Sequence, residues 1–258
     1  MNQSEKRNYL IQELLKEHPV QQKLQIPNRA EEQKRLLRAL FNVRMVQETS
    51  DEFLEIQDEY LKAEIAKKGI TDYKSLSLLE PNIYLWKGDI TTLQCDGIVN
   101  AANSQMLGCF CPNHGCIDNA IHTFAGIQLR AACGELMSRQ GCEEPAGKAK
   151  ITPAYNLPSK YVLHTVGPIV TGELTKTDCE LLASCYSSCL ELAVKHNIKS
   201  LAFCCISTGE FHFPNDRAAE IAVQTVRNFV QHQEIEVIFN VFKDYDYEIY
   251  RGLLGAGR

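Results

Sequence analysis

From about residue 81 onward, short apolar runs alternate with longer amphipathic stretches. This alternation constrains the fold of the 258-residue chain more than any other feature. Ile83–Trp86, Gly97–Val99, Ile151–Tyr155, Tyr161–Thr165, Leu201–Ile206 and Val237–Phe242 read as strands. Asp118–Ser138, Asp178–His196, Asn215–Val230 and Tyr245–Leu254 read as helices. Strands that alternate with helices imply an α/β sheet covered on both faces. Ligands of such sheets sit in crevices beyond the carboxyl ends of the strands.

The first 78 residues read differently. They are rich in Glu, Lys, Gln and Leu and hold one glycine, Gly69. Leu36, Leu37, Leu40 and Val43 recur at helical spacing, as do Phe53, Leu54, Tyr60, Leu61 and Ile65. Ser50-Asp51-Glu52 suits the N-terminal cap of the second of these helices. The expected organisation is an N-terminal helical extension of two or three helices over 1–78, followed by an α/β domain over 79–258. The charge-rich helix faces should be solvated and the apolar stripes should pack on the following domain.

No apolar run reaches the ~18 residues of a membrane span, and the N-terminus lacks the apolar core of a signal peptide. A cytoplasmic location is expected. The net charge of -5 argues against a dedicated nucleic-acid binder, which is usually basic. A local anion site stays open, because backbone N–H groups bind phosphate without side-chain charge. The chain has 11 cysteines, an odd number with no secretion signal, so reduced thiols or metal ligands fit better than a disulfide framework. Most lie in apolar segments and read as small buried hydrophobes, as Cys204 and Cys205 do in LAFCCI.

Three loops follow strands and can converge at one crevice. In the first, Gly88-Asp89-Ile90-Thr91, Asp89 can accept from an exocyclic amine or simply form the turn. In the second, Asn100 and Asn103 stand where amides can hold sugar hydroxyls. Cys109, Cys111, His114 and Cys116 follow, bent by Pro112 and Gly115. Thiolate and imidazole are preferred zinc ligands; three would leave a position open for water or substrate, and four would close a structural site. Ile117-Asp118-Asn119 then opens a helix, with Asp118 a cap, a base or a ribose ligand. In the third, Ser207-Thr208-Gly209-Glu210-Phe211 joins a strand to a helix. That order suits phosphate bound by consecutive N–H groups, and the loop lacks the lysine of a nucleoside-triphosphatase. His122 lies one turn after Asp118 and His164 lies in a strand; both read as core or supporting histidines.

Taken in order, GDIT, IVNAANSQMLG, CIDNAIH and STGEFHFP closely resemble the macrodomain family over about residues 81–258. The resemblance implies a three-layer α/β/α fold around a mixed sheet, and ADP-ribose as ligand. Hydrolytic macrodomains of the MacroD type carry a run of glycines before the V-D-G-A-I-H segment. This chain reads GCFCPNHGCIDNAIH instead, which is similar to a zinc-containing microbial subgroup often encoded beside a sirtuin-type ADP-ribosyltransferase. By that likeness Asp89 meets the adenine amine beside the Ile90 backbone, and Phe242 flanks adenine. Asn103 meets the distal ribose, and Ser207, Thr208, Gly209, Glu210 and Phe211 hold the diphosphate. Cys116, Ile117 and Asp118 line the reacting end. Cys109, His114 and Cys116 hold one Zn2+ per chain, while Asp118 and Asn103 serve catalysis.

The implied reaction is zinc-dependent removal of mono-ADP-ribose from acidic side chains of a protein, with free ADP-ribose as product. The implied substrate resembles a lipoyl-carrier protein modified by the sirtuin-type transferase, and no nucleic acid or membrane is involved. Three other readings use the same loops: a non-catalytic reader of ADP-ribosylated proteins, a structural zinc site completed by Cys111, and a hydrolase of O-acetyl-ADP-ribose.

Overall fold

The computed structural model describes residues 1–17 and 24–255. Three helices come first: α1 (Gln3–Glu17), α2 (Ala30–Val43) and α3 (Asp51–Lys68). Short strands β1 (Thr71–Asp72) and β4 (Leu93–Gln94) pair with each other. The main sheet is built from β2 (Leu78–Glu80), β3 (Ile83–Lys87), β5 (Gly97–Ala102), β6 (Ala149–Pro153), β7 (Tyr161–Val166), β8 (Ser200–Phe203) and β9 (Glu236–Val241). Its strand order is β2-β3-β9-β8-β5-β7-β6. The five inner strands are parallel, whereas β2 and β6 run antiparallel at the edges, so the sheet is mixed. Helices α4 (Ile117–Ala125) and α5 (Ile127–Gln140) cover one face. Helices α6 (Lys176–Lys195), α7 (Asn215–Val230) and α8 (Asp244–Gly255) pack side by side on the other. This is the three-layer α/β/α fold with a helical extension that the sequence predicts.

The inner strands are buried on both faces, as their near-continuous apolar runs require: every residue of β8 is buried, and Ile98, Val99, Leu163, Leu201 and Phe239 are almost fully so. The pairing of β5 with its two neighbours is unequal. With β7 it continues to Ala102↔Val166, but with β8 it stops at Ile98↔Ala202. The chain leaves β5 toward α4 and leaves β8 toward α7, on opposite faces. The sheet therefore opens a crevice at the carboxyl ends of these two strands, the topological switch point where ligands bind in open α/β sheets.

Two expectations need correction. The helix read as continuous over Asp118–Ser138 is broken at Gly126, which has φ +97 and ψ 172. That conformation is essentially glycine-only. The break is held from outside the segment. Gln57 of α3, fully buried, accepts from the Ile127 N–H with Oε1 at 3.0 Å and so caps α5 in place of a local side chain. Asp58 Oδ1 accepts from Gln128 and Asn156 beside it.

The second correction concerns the apolar stripes of the extension. They pack in large part on one another: Leu10, Ile11, Leu14, Leu37, Leu40, Phe41, Phe53, Tyr60 and Leu61 form their own cluster, with Phe124 and Ile127 of the sheet-covering helices against it, whereas Ile65 of α3 and Tyr73 join the core of the α/β layers as expected. Burying each such side chain contributes about 1.5–3 kcal/mol, more than the exposed ion pairs on the outer faces supply. Ser50 does cap α3, accepting from the Phe53 N–H at 3.2 Å.

A Cβ at Gly126 would stand 2.5 Å from Gln128 Oε1 and 2.8 Å from Gln57 Nε2. Gly126→Ala is expected to lower stability by about 1–3 kcal/mol, read from urea denaturation. An unchanged midpoint would show that this junction is not the constraint described.

Candidate active site

Each loop predicted to carry chemistry leaves the carboxyl end of a parallel strand on the same edge of the sheet. Beyond β3, Gly88 is pinned by Val241 and Asn240, and a Cβ on it would stand 2.2 Å from the Trp86 ring. Asp89 follows as the cap of a short helical turn, with Oδ1 accepting from Thr91 N–H and Oγ1 at 3.0 and 2.6 Å. Lys68 of α3 donates to Oδ2 at 2.9 Å while its ammonium lies over the Phe124 ring. Burial works to raise the Asp89 pKa, but the bonds from Thr91 and Lys68 outweigh it and the net shift is downward. The Ile90 side chain is buried. Phe242 lies just beyond β9, the strand paired with β3, and is 77% exposed.

Beyond β5 the chain turns at Asn103, whose Oδ1 accepts from the N–H groups of Gln105 and Met106. Its Nδ2 donates to the Gly108 carbonyl at 3.1 Å and lies 3.5 Å from Asp118 Oδ2. Gly108 has φ +82, and a Cβ there would meet the His122 ring at 2.8 Å.

The loop then brings Cys109, His114 and Cys116 together, their ligand atoms all within 4.8 Å of one another. Cys109 Sγ and His114 Nδ1 are 3.6 Å apart. Tetrahedral zinc with Zn–S near 2.3 Å and Zn–N near 2.0 Å needs its ligands about 3.5–3.8 Å apart, so this donor set fits with a small contraction. Cys111 is exposed and lies outside the group. Its carbonyl instead accepts from Asn119. Cys116 caps α4, its sulfur accepting from the Asn119 N–H at 3.4 Å. Burial, with Cys109 and Asp118 nearby, pushes its thiol up to about 12.

Asp118 sits in the first turn of α4 and is buried at 5% exposure. Asn100 Nδ2 donates to its Oδ1 at 2.8 Å. Burial pushes its carboxyl up to about 6, against the opposing pull of that bond and of Arg130. Asn100 itself is wholly buried inside β5, so its expected sugar contact is corrected: it holds Asp118. Asn100 also faces His164 Nδ1 at 3.2 Å, and Thr152 Oγ1 faces His164 Nε2 at 3.0 Å, which makes His164 a satisfied core histidine. His122 Nε2 lies 3.5 Å from Asp118 Oδ1, yet neither ring nitrogen has a hydrogen-bond partner among the described residues. Burial drives the His122 pKa well below its ordinary value, so this is a neutral ring against a carboxyl group and not an ion pair.

Beyond β8, Ser207 has φ +65 and starts the third loop. Among the described residues, no hydrogen bond uses the backbone N–H groups of Thr208, Gly209, Glu210 or Phe211. The loop is tied down by its carbonyls, Ser207 accepting from Phe213, Gly209 from His212 and Phe211 from Val170. Unspent donors on a bent backbone before a helix form an anion-binding concavity. Glu210 Oε1 lies 3.6 Å from His114 Nε2, so this loop and the thiol loop meet.

The structure thus brings Asn103, Cys109, His114, Cys116, Asp118 and Glu210 into one crevice, with Asp89 and Phe242 along the same sheet edge. Sequence reading missed Asn100 as the partner of Asp118 and Lys68 as the partner of Asp89. Only sheet register and the docking of α3 create those pairings.

A family model described as "Macro domain" matches residues 99–222. A protein-ADP-ribose hydrolase from Treponema medium is 55% identical over 98% of this chain and 100% of that protein. The chain belongs to the macrodomain family. Another protein-ADP-ribose hydrolase, from Staphylococcus aureus, is 48% identical over 94% of this chain and 92% of its own length. Among solved structures, the Trypanosoma brucei macrodomain in complex with ADP-ribose is similar at a TM-score of 0.65 and 29% identity, covering 84% of this chain and 95% of that one. The glycine pattern of this macrodomain follows its crowding. A Cβ on Gly167, just past β7, would stand 2.0 Å from Ser207 Oγ.

Gly167→Ala is therefore expected to push the 207–211 loop out of place and weaken ADP-ribose binding by about tenfold, or 1.4 kcal/mol, measured by calorimetry. Unchanged affinity would place the ligand away from this loop.

Proposed function

We propose that this macrodomain removes mono-ADP-ribose from modified acidic side chains of a protein, with zinc held by Cys109, His114 and Cys116. The observation that carries the reading is the meeting of three groups at one crevice: a three-ligand soft donor set, the buried carboxyl of Asp118, and a loop of unspent N–H donors. The similarity to proteins named protein-ADP-ribose hydrolase supports the same activity.

The residues divide the work by chemistry. The N–H groups of Thr208 to Phe211 take the diphosphate, Asp89 takes the adenine amine, and Phe242 lies against the ring. These remote contacts hold the distal ribose over the reacting end, which lowers the entropy cost of reaction. Asn103, turned inward by its bond to Gly108, orients the ribose. When bound, zinc supplies Lewis acidity toward a ribose hydroxyl or water. Asp118, steadied by Asn100, orients the attacking water and takes its proton. The water oxygen bonds to the ester or anomeric carbon and the bond to the acidic side chain breaks. Free ADP-ribose and the restored carboxylate remain. Glu210 beside His114 Nε2 suits the carboxylate that orients a metal-binding imidazole.

A reader of ADP-ribosylated proteins needs the diphosphate and adenine contacts but neither the thiols nor Asp118. Cys111 stands outside the donor group, so the three-ligand set keeps a position for substrate, unlike a closed structural site. A lipoyl-carrier-like substrate and a partner sirtuin-type transferase extend this reading on the subgroup resemblance, and release from a modified lipoyl carrier compared with other modified proteins tests them.

Removing zinc from the protein is expected to stop release of ADP-ribose from a mono-ADP-ribosylated acidic side chain, and restoring zinc to bring it back. Cys116→Ala should lose metal and release together; a metal-free protein with full activity would sink the zinc role. Asp118→Ala should slow release by about 10²–10⁴-fold while ADP-ribose still binds, as single-turnover assays and calorimetry on the same sample will show.

A further inference from the structure

The loop over residues 107–116 has no regular secondary structure. Within it the backbone makes one bond, from the His114 N–H to the Cys111 carbonyl at 3.2 Å. Such a loop would lose much conformational freedom on closing around a metal unless its partners lay elsewhere. They lie on α2. Arg38 donates through Nε and Nη2 to Asn119 Oδ1 at 3.0 and 2.7 Å, and through Nη2 to the His114 carbonyl at 3.0 Å. Asn119 passes the hold on, with Nδ2 to the Cys111 carbonyl and its N–H to Cys116 Sγ.

One turn along α2, buried Asn42 accepts from the Asn113 N–H with Oδ1 at 2.9 Å and donates from Nδ2 to Thr123 Oγ1 at 3.0 Å. Asn113 is at φ +57, so that bond pins a residue in the left-handed region in the middle of the loop. From the other side, buried Arg130 of α5 donates to the Leu107 carbonyl at 2.6 Å and to the carbonyls of Phe41 and Arg44 at the end of α2. Its guanidinium also lies against the Phe110 ring.

We propose that Arg38 and Asn42 are positioning residues for the thiol-histidine loop, which makes the helical extension a working part of the site. The inference rests on the zinc reading above. Neither the extension's own apolar cluster nor the cover of the sheet requires these polar contacts. Arg38 also sets a positive charge near Cys109, Cys116 and Asp89. Arg38 bonds the backbone of one proposed ligand, His114, and reaches a second, Cys116, through Asn119, without being a ligand itself, the arrangement by which outer residues fix ligand placement.

The test uses the full chain stripped of metal, titrated with zinc alone against a colorimetric chelator and separately with ADP-ribose by calorimetry. Arg38→Met is expected to weaken zinc uptake by about 10–100-fold. ADP-ribose affinity of the metal-free protein should stay within about twofold, as for an independent site. Arg38→Lys should recover part of the zinc affinity, since it keeps the charge but not the planar fork. Should Arg38→Met fail to fold, Asn42→Leu carries the same expectation through the Asn113 bond. Zinc uptake by these variants equal to that of the unaltered protein overturns the positioning role and leaves the zinc reading standing. An equal loss of zinc and ADP-ribose binding also overturns it, as general collapse of the site. An unaltered protein that takes up no zinc overturns both readings.

Discussion

The short pairing between β5 and β8 is the constraint on which the site depends. Two parallel strands lie side by side in the middle of the sheet, but their ladder ends at Ile98↔Ala202 while β5 continues along β7 to Ala102. Backbone groups released from a ladder inside a protein need other partners. Past β8 the carbonyls of the loop find them, whereas the N–H groups of Thr208 to Phe211 point to no protein acceptor among the described residues. Just past the end of that ladder, Asn100 turns its amide toward Asp118 while also facing His164 of β7. An anion cradle and a buried carboxyl therefore lie at one feature of topology.

Electrostatics then sorts the two ends of the crevice. Asp89 is partly exposed and bonded by Thr91 and Lys68, so its carboxylate form is favoured. Asp118 is almost wholly buried with fewer donors, and its carboxyl is pushed upward. One carboxylate is thus suited to accepting from a neutral amine and the other to exchanging a proton. The thiol loop follows the same logic. Burial disfavours a thiolate at Cys116, and a bound cation would reverse that preference, because coordination deprotonates a thiol.

The extension shows how a segment with its own apolar cluster can still belong to a site. Its helices are held together by leucine and aromatic packing, and they meet the α/β layers through apolar contacts at Ile65, Phe124 and Ile127 and through polar groups: Gln57 on the start of α5, Lys68 on Asp89, Arg38 and Asn42 on the thiol loop. Apolar packing tolerates small shifts, but buried hydrogen bonds impose distances and directions. The seam is therefore suited to setting geometry more than to supplying bulk stability.

Local periodicity and turn chemistry were legible in the chain itself. Val237–Phe242 and Asn215–Val230 match β9 and α7 to within a residue because burial on both faces or on one stripe leaves a clear apolar pattern. Ser50 declared itself as a cap, and Cys109, Cys111, His114 and Cys116 stood out as one crowded loop, the choice of three among them being implied only by the family resemblance. Other features were decided only in three dimensions. Gly126 breaks a helix that periodicity reads as continuous, because the capping group belongs to Gln57, 70 residues away. Asn100 looks like a sugar ligand until the register of β5 against β7 buries it under Asp118. Arg38 and Asn42 look like ordinary polar positions of an amphipathic helix until α2 docks on α4. Sequence determines what a residue can bond and how its own turn is shaped. Which partner it meets across long chain separations depends on how elements pack, and no local pattern encodes that.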